Sequence, residues 1–307
     1  MSPAPCPTPP VAADQVAAHP SALAPGLAVT VWDSGGIRHA LDECLDELAL
    51  IQPDVVQLHT VPGDGAQVHR LREALPGVRV WVGIPADHLA RRPAQAPAKA
   101  ATYARAAQVQ GVELLVLNGE AAWVGASPGL ARDVLAACRE AAPGLLLGWT
   151  TYDHPHYADH RGPWEVILGH GGVDYSLPQH YPARPGLQAG PAQIRGRILA
   201  SQRSHARLRG LDPELVPQGP RWIPYGQAHG HTPAGICALS DAAPLACWWA
   251  LPSRMDPLGL LGLLAASKIR REAGHAPGHV ARWQAAHGLL ADGVAGRRTL
   301  AALGLGP

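Results

Sequence analysis

The sequence predicts an α/β fold, a (β/α)8 TIM barrel with a small C-terminal helical appendage. Short Val/Leu/Trp-rich runs alternate with longer amphipathic segments from Gly26 onward. Such alternation implies a parallel sheet, because each crossover helix must cover a sheet face. Eight strand–helix units fill about 250 residues, the usual size of such a barrel. An open doubly wound sheet is the competitor. Its functional signature would be a Gly-x-Gly-x-x-Gly turn after the first strand, and Trp32-Asp33-Ser34-Gly35-Gly36 is not one.

The expected strands are 27–33, 54–60, 78–84, 112–118, 145–152, 173–181, 221–227 and 244–251. Between them, helical periodicity is clear at 37–51, 97–110, 129–142 and 191–210, with a last helix at 258–274. The segment 154–171 matches least well; a short helix at PWEVILGH follows a loop HPHYADH. Residues 1–25 are Pro/Ala-rich without periodicity and are expected to be a tail. The domain boundaries follow: tail 1–25, (β/α)8 barrel 26–274, C-terminal helical segment 275–307.

Composition narrows the function classes. A net charge of +1 with 16% charged residues excludes a strongly basic nucleic-acid surface. The longest apolar stretch, Leu258–Ala266, is too short to span a bilayer. No membrane or nucleic-acid partner is therefore expected. The N-terminus shows no signal peptide, so action outside the cell would require release or delivery after cytoplasmic synthesis. Cys6, Cys44, Cys138, Cys237 and Cys247 are isolated and odd in number, which reads as reduced thiols. The absence of any Phe beside nine Trp has no physical explanation in the sequence.

In a barrel, chemistry gathers at the C-terminal strand ends. Those ends carry Asp33, His59, Asn118 and Glu120, Tyr152 and Asp153, Gln179 and Tyr181, Tyr225 and Gln227, and Trp248 and Trp249. Strand three, ending in Ile84-Pro85, contributes little. Carboxylates, amides, phenols and aromatic platforms together suit sugars, whose hydroxyls hydrogen-bond and whose C–H faces stack. Glycosidic cleavage needs an acid for the leaving oxygen and a nucleophile or base across the ring. Glu120 is the expected acid, with Trp123 expected to desolvate it. Asp33 and Asp153 are the candidates for the second carboxylate, Asp33 as base; alternatively a 2-acetamido sugar supplies its own carbonyl, oriented by Asn118 and Tyr181. Asn118 shares a strand face with Glu120. His59, Tyr152, Asp153, Gln179, Tyr225, Gln227 and one of Trp248 and Trp249, which point to opposite faces, are expected to bind the glycan. Each residue also has a plainer reading, Asp33 as a helix cap and Glu120 as a surface charge. HPHYADH and His229-Gly230-His231 raise a metal-dependent amidase, but no HExxH accompanies them. No metal or other cofactor is expected.

After Gly278 the pattern changes. Trp283-Gln284, Gly288-Leu289, Asp292-Gly293, Gly296 and Thr299 fall at the spacing of the peptidoglycan-binding type 1 module, which this segment resembles over about 27 residues, without the module's first helix. The resemblance implies wall binding through Trp283, Gln284, Asp292, Gly293 and Thr299; packing on the barrel is the other possibility. The strand-one Asp33 and the strand-four Glu120 are similar to family 25 lysozymes, with Asn118 where those muramidases carry Asp. Asn118-Gly119-Glu120 and Gln179-His180-Tyr181 also resemble chitinase-like, substrate-assisted barrels. These resemblances imply a hydrolase of peptidoglycan glycan strands, of muramidase or N-acetylglucosaminidase type, as in an endolysin, with peptidoglycan or another 2-acetamido-sugar glycan as partner. The alternative is a catalytically silent glycan-binding or structural part of a phage or secretion particle.

Overall fold

The computed structural model describes residues 23–31, 37–60, 63, 65–152, 162–169, 171–180, 191–208, 210, 222–227, 231–251 and 257–306. Its order is β1 (Gly26–Val31), α1 (Ile37–Ile51), β2 (Val55–His59), α2 (Ala66–Ala74), β3 (Arg79–Pro85), α3 (Asp87–Ala90), α4 (Ala96–Val109), β4 (Leu114–Asn118), α5 (Pro128–Ala141), β5 (Leu146–Tyr152), α6 (Trp164–Leu168), β6 (Tyr175–His180), α7 (Pro191–Leu208), β7 (Tyr225–Gln227), α8 (Pro233–Asp241), β8 (Leu245–Leu251), α9 (Pro257–Ala273), α10 (His279–Ala286) and α11 (Arg297–Ala302). The strands are all parallel and close into a barrel in sequence order. The expected fold is the observed one.

Local chemistry explains the helix starts. Ser127 caps α5 by accepting from the Leu130 N–H at 3.1 Å, with Pro128 as the first helical residue. Thr232 and Pro233 repeat the device at α8, Thr232 accepting from the Gly235 N–H at 3.1 Å. On α5, Ala131, Val134, Leu135 and Cys138 form the buried stripe that meets the barrel.

Alternate strand residues face inward or outward. The outward set joins the helices in one apolar shell including Leu27, Val29, Leu58, Val82, Leu117, Trp149 and Trp248. The inward set forms a second cluster, including Val55, Trp81, Leu114, Val116, Tyr175, Leu177 and Tyr225. Within it Thr30 lies 3.3 Å from the Tyr225 hydroxyl and 3.4 Å from the Cys247 sulfur. The cysteines Cys44, Cys138, Cys237 and Cys247 are free and buried, and burial pushes each thiol up to about 12.

The lower mouth, where the strands begin, is closed by backbone carbonyls around one guanidinium. Fully buried Arg270 on α9 donates to Gly26 O and Pro244 O at 2.8 Å each, to Ala243 O at 2.9 Å and to Ser240 O. Arg79 donates to Ala24 O and Pro25 O, and the Leu23 N–H to the Tyr175 hydroxyl. The last residues of the expected tail are thus tied to the barrel floor.

The C-terminal segment docks on the same lower side. The Val280 N–H donates to Asp241 Oδ1 at 3.1 Å, Lys268 Nζ donates to Leu303 O at 2.9 Å, and Val280, Trp283 and Leu303 join the outer shell. Helix C-termini that follow parallel strands lie at the strand-start end, so this segment sits opposite the upper mouth. Among the described residues, no helix is long and apolar enough to cross a membrane.

Candidate active site

At the upper mouth, β2, β4, β5 and β6 bring together His59, Asn118, Glu120, Thr150 and Gln179. Glu120 is half-buried just past the tip of β4. Gln179 on β6 donates its amide N–H to Glu120 Oε1 at 2.5 Å. That donation marks Oε1 as an acceptor, so a proton on the acid resides on Oε2.

Asn118 lies beside this pair on the same face of β4. Its Oδ1 accepts from the Thr150 hydroxyl, and its Nδ2 lies 3.2 Å from His59 Nε2. An amide nitrogen only donates, so His59 Nε2 accepts and the ring is neutral. Burial supports this, lowering the His59 pKa to about 4. Asn118 keeps one lone pair and one N–H for a ligand. Gly83 on β3 makes room: a Cβ there would come within 2.5 Å of Gln57 Nε2 and 3.0 Å of the His59 ring.

The turn carrying Glu120 is held from several sides. The Ala86 N–H donates to Asn118 O at 2.7 Å, and the Glu120 N–H to Asp87 Oδ1 at 2.8 Å. The Trp149 indole donates to Gly119 O and the Trp123 indole to Ala86 O, both at 3.1 Å. Trp123 and Trp149 meet edge to face with centroids 4.8 Å apart, and a Cβ on Gly119 would strike both. Trp123 therefore props the turn from below through Gly119 and Ala86. Strand three, expected to contribute little, supplies Asp87 just beyond its tip. Asp87 and Thr150 were missed: the first follows the strand inside α3, and the second lies within an apolar run where only alternation could have marked it.

Other expected site residues are placed differently. Trp248 is fully buried on the outer face, its indole donating to Ser240 Oγ at 2.9 Å, so it is core and lines no groove. Tyr225 fills the barrel interior, 2% exposed, because its position on β7 is an inward one below the mouth. His59, expected to bind glycan, is buried and supports Asn118. Asp33, Asp153 and Tyr181 lie outside the described residues, as do the side chains of Tyr152, Gln227 and Trp249. So do Cys6, the HPHYADH loop and His229. Among the described residues, no group of three His, Cys, Asp or Glu is placed to hold a metal ion.

Of the wall-binding signature residues, Trp283, Gln284, Gly293 and Thr299 are buried and Asp292 is exposed. Gln284 is buried; its Nε2 donates to Asp292 Oδ1 at 3.0 Å, Val294 O at 2.9 Å and Thr299 Oγ1 at 3.1 Å, and its Oε1 accepts from the Gly293 N–H at 2.9 Å. Gly293 has φ of 71°, a left-handed conformation that suits glycine. Trp283 is buried, stacks on His287 at 3.9 Å and donates to Glu272 Oε2 at 2.6 Å. These side chains close the turn and seat it on α9; Trp283, Gln284 and Thr299 present no surface to a glycan. This is a correction to the binding role the signature implied.

No protein-family model matches the sequence, and no curated protein matches it. The resemblances to family 25 lysozymes and to the wall-binding module thus rest on the quoted residues alone. Solved structures do match in shape. An endo-β-1,4-mannanase from Thermotoga petrophila superposes with a TM-score of 0.55 at 8% identity, over 80% of this chain and 77% of that one. A chitinase from Rhizomucor miehei gives 0.50 at 10% identity, over 78% of this chain and 99% of that one. An endo-1,4-beta-mannanase from Eisenia fetida gives 0.50 at 10% identity, over 79% and 91%. At such identities the likeness is one of fold, and the fold is the (β/α)8 TIM barrel.

Proposed function

We propose that the protein is a glycoside hydrolase acting on a glycan that contains 2-acetamido sugars, with peptidoglycan strands as its polymer. The observation that carries this reading is the pairing of Glu120 with Gln179 at the upper mouth, beside an Asn118 amide fixed by His59 and Thr150. Glu120 protonates the leaving glycosidic oxygen from Oε2. The substrate's acetamido carbonyl attacks the anomeric carbon, the Asn118 Oδ1 lone pair receives the acetamido N–H, and a water deprotonated by Glu120 opens the cyclic intermediate. Such a route needs one protein carboxylate and an orienting amide. Barrels of this shape include proteins named as a chitinase and as mannanases, which is consistent in fold. The peptidoglycan choice follows the sequence likeness of residues 279–305 to a wall-binding module, a likeness of motif and not of an exposed binding surface.

The test compares wild type with Glu120→Gln on purified sacculi and on N-acetylglucosamine oligomers, scoring new reducing ends. Reducing ends from wild type alone support the reading. Equal, absent turnover with retained sedimentation on sacculi would instead support a silent glycan-binding barrel. Cleavage of oligomers but not sacculi keeps the hydrolase and removes the peptidoglycan assignment.

A further inference from the structure

We infer that Asp87 is the positioning residue that holds Glu120 in register for proton transfer, an inference that rests on the hydrolase reading above. Past the tip of β4 the chain leaves the sheet, and its backbone N–H groups need acceptors off the ladder. Two of them converge on one side chain: the Glu120 N–H reaches Asp87 Oδ1 at 2.8 Å and the Ala122 N–H reaches Asp87 Oδ2 at 3.4 Å. Hydrogen bonds to an ionised acceptor are roughly twice as strong as neutral ones.

Asp87 is itself well planted. It opens α3, whose next residue, His88, bonds Pro85 O through Nδ1 and the Tyr103 hydroxyl on α4 through Nε2 at 3.0 Å. Glu120 is thereby fixed at both ends, its backbone by Asp87 and its carboxylate by Gln179. Three torsions separate those ends, so a shift of the backbone end moves Oε2 away from the leaving oxygen. Arg91 lies 3.9 Å from Asp87 Oδ2 but is largely exposed, and such pairs contribute little. The described polar contacts of this carboxylate otherwise go to the turn bearing the acid.

The experiment measures kcat and KM separately for wild type, Asp87→Asn and Asp87→Ala on a 4-methylumbelliferyl glycoside of an N-acetylglucosamine oligomer. Circular dichroism checks folding, and Ser267→Ala, which removes the bond from α9 to the Ile51 carbonyl at the lower end of the barrel, is the structural control. Misplacement of about 1 Å costs on the order of a hundredfold in rate, so Asp87→Ala is expected to lower kcat roughly ten- to a hundredfold with KM within about twofold. Asp87→Asn keeps the acceptor for Glu120 and loses that for Ala122, and falls between. A kcat equal to wild type in Asp87→Asn and Asp87→Ala, or a loss matched by Ser267→Ala, overturns the role. If Asp87→Ala does not fold, wild type against Asp87→Asn decides. Absence of turnover in wild type sinks the hydrolase reading itself, whereas active wild type with unimpaired variants sinks only the positioning role.

Discussion

Asn118 donates an amide hydrogen to His59 Nε2 across 3.2 Å, and this bond ties the neutrality of a buried imidazole to the orientation of the amide beside Glu120. Thr150 donates to the other end of the same amide. The amide cannot flip without placing its NH2 against the Thr150 hydroxyl and its oxygen against His59 Nε2. An aspartate here would carry charge and invite a proton onto His59. Asparagine keeps the pair uncharged at a site that burial makes costly to charge.

The first prediction follows from that pairing. Asn118→Asp puts a carboxylate at the imidazole, and an opposite charge within hydrogen-bond reach favours protonation. The His59 pKa should rise from about 4 toward its ordinary value of 6.5 or beyond. An NMR pH titration of the His59 ring reads this directly. A ring that still titrates near 4 in the variant would show that the two residues are not coupled.

Acid should destabilise the wild-type fold over a defined window. His59 titrates at 6.5 unfolded and at about 4 folded. As pH falls through 6.5 the unfolded chain gains a proton that the folded chain refuses, so stability present above 6.5 is lost down to about 4 and then levels. His279, fully buried and lowered to about 3, acts in the same direction. One pKa unit corresponds to about 1.4 kcal/mol, so the His59 contribution is roughly 3 kcal/mol. Urea unfolding at pH 7, 5.5 and 4 measures it. His59→Gln, whose amide oxygen still accepts from Asn118, should remove that part of the slope; an unchanged slope would place the sensitivity elsewhere.

Glu120→Gln should lower kcat by roughly 10²–10⁴-fold, the usual contribution of a positioned acid or base. The half-buried position and amide-for-carboxylate exchange leave the fold intact. The Gln179 bond adapts because the new amide oxygen still accepts from its Nε2. Reducing-end release on N-acetylglucosamine oligomers gives the rate. A variant as fast as wild type would remove Glu120 from the chemistry.

Much of this architecture was legible because burial on both faces makes parallel strands read as apolar runs. The α1 boundaries 37–51 agree with expectation, and β5 falls within one residue of it. β7 does not: of the expected 221–227 only Tyr225–Gln227 pairs as a strand, with Trp222 in an isolated bridge to Ser176. Pro224 lies between them and has no N–H for the ladder. Asn118, Glu120 and Gln179 were found because alternation from an apolar strand marks the inward face. Trp248 was harder, since alternation says that Trp248 and Trp249 differ but not which faces inward. Register decides it: Trp248 pairs level with Val29, an outward residue. Asp87 belongs to no strand pattern, and its role appears only when the β4 turn is folded against α3.

Gln284 illustrates how a motif and its physics diverge. Its sequence position suggested a glycan contact, yet its amide spends four hydrogen bonds on Asp292, Val294, Thr299 and Gly293. Gln284→Ala strands buried partners, and each unsatisfied buried group costs about 1–3 kcal/mol, so a loss of roughly 2–4 kcal/mol is expected. For chains of this size each kcal/mol lowers Tm by about 2–4 °C. Differential scanning calorimetry should therefore show a fall of several degrees, or an early transition of the C-terminal segment. Because the residue faces inward, sedimentation on sacculi should fall only as far as the folded fraction does. Unchanged melting together with lost sedimentation would reverse the assignment and return Gln284 to a binding surface.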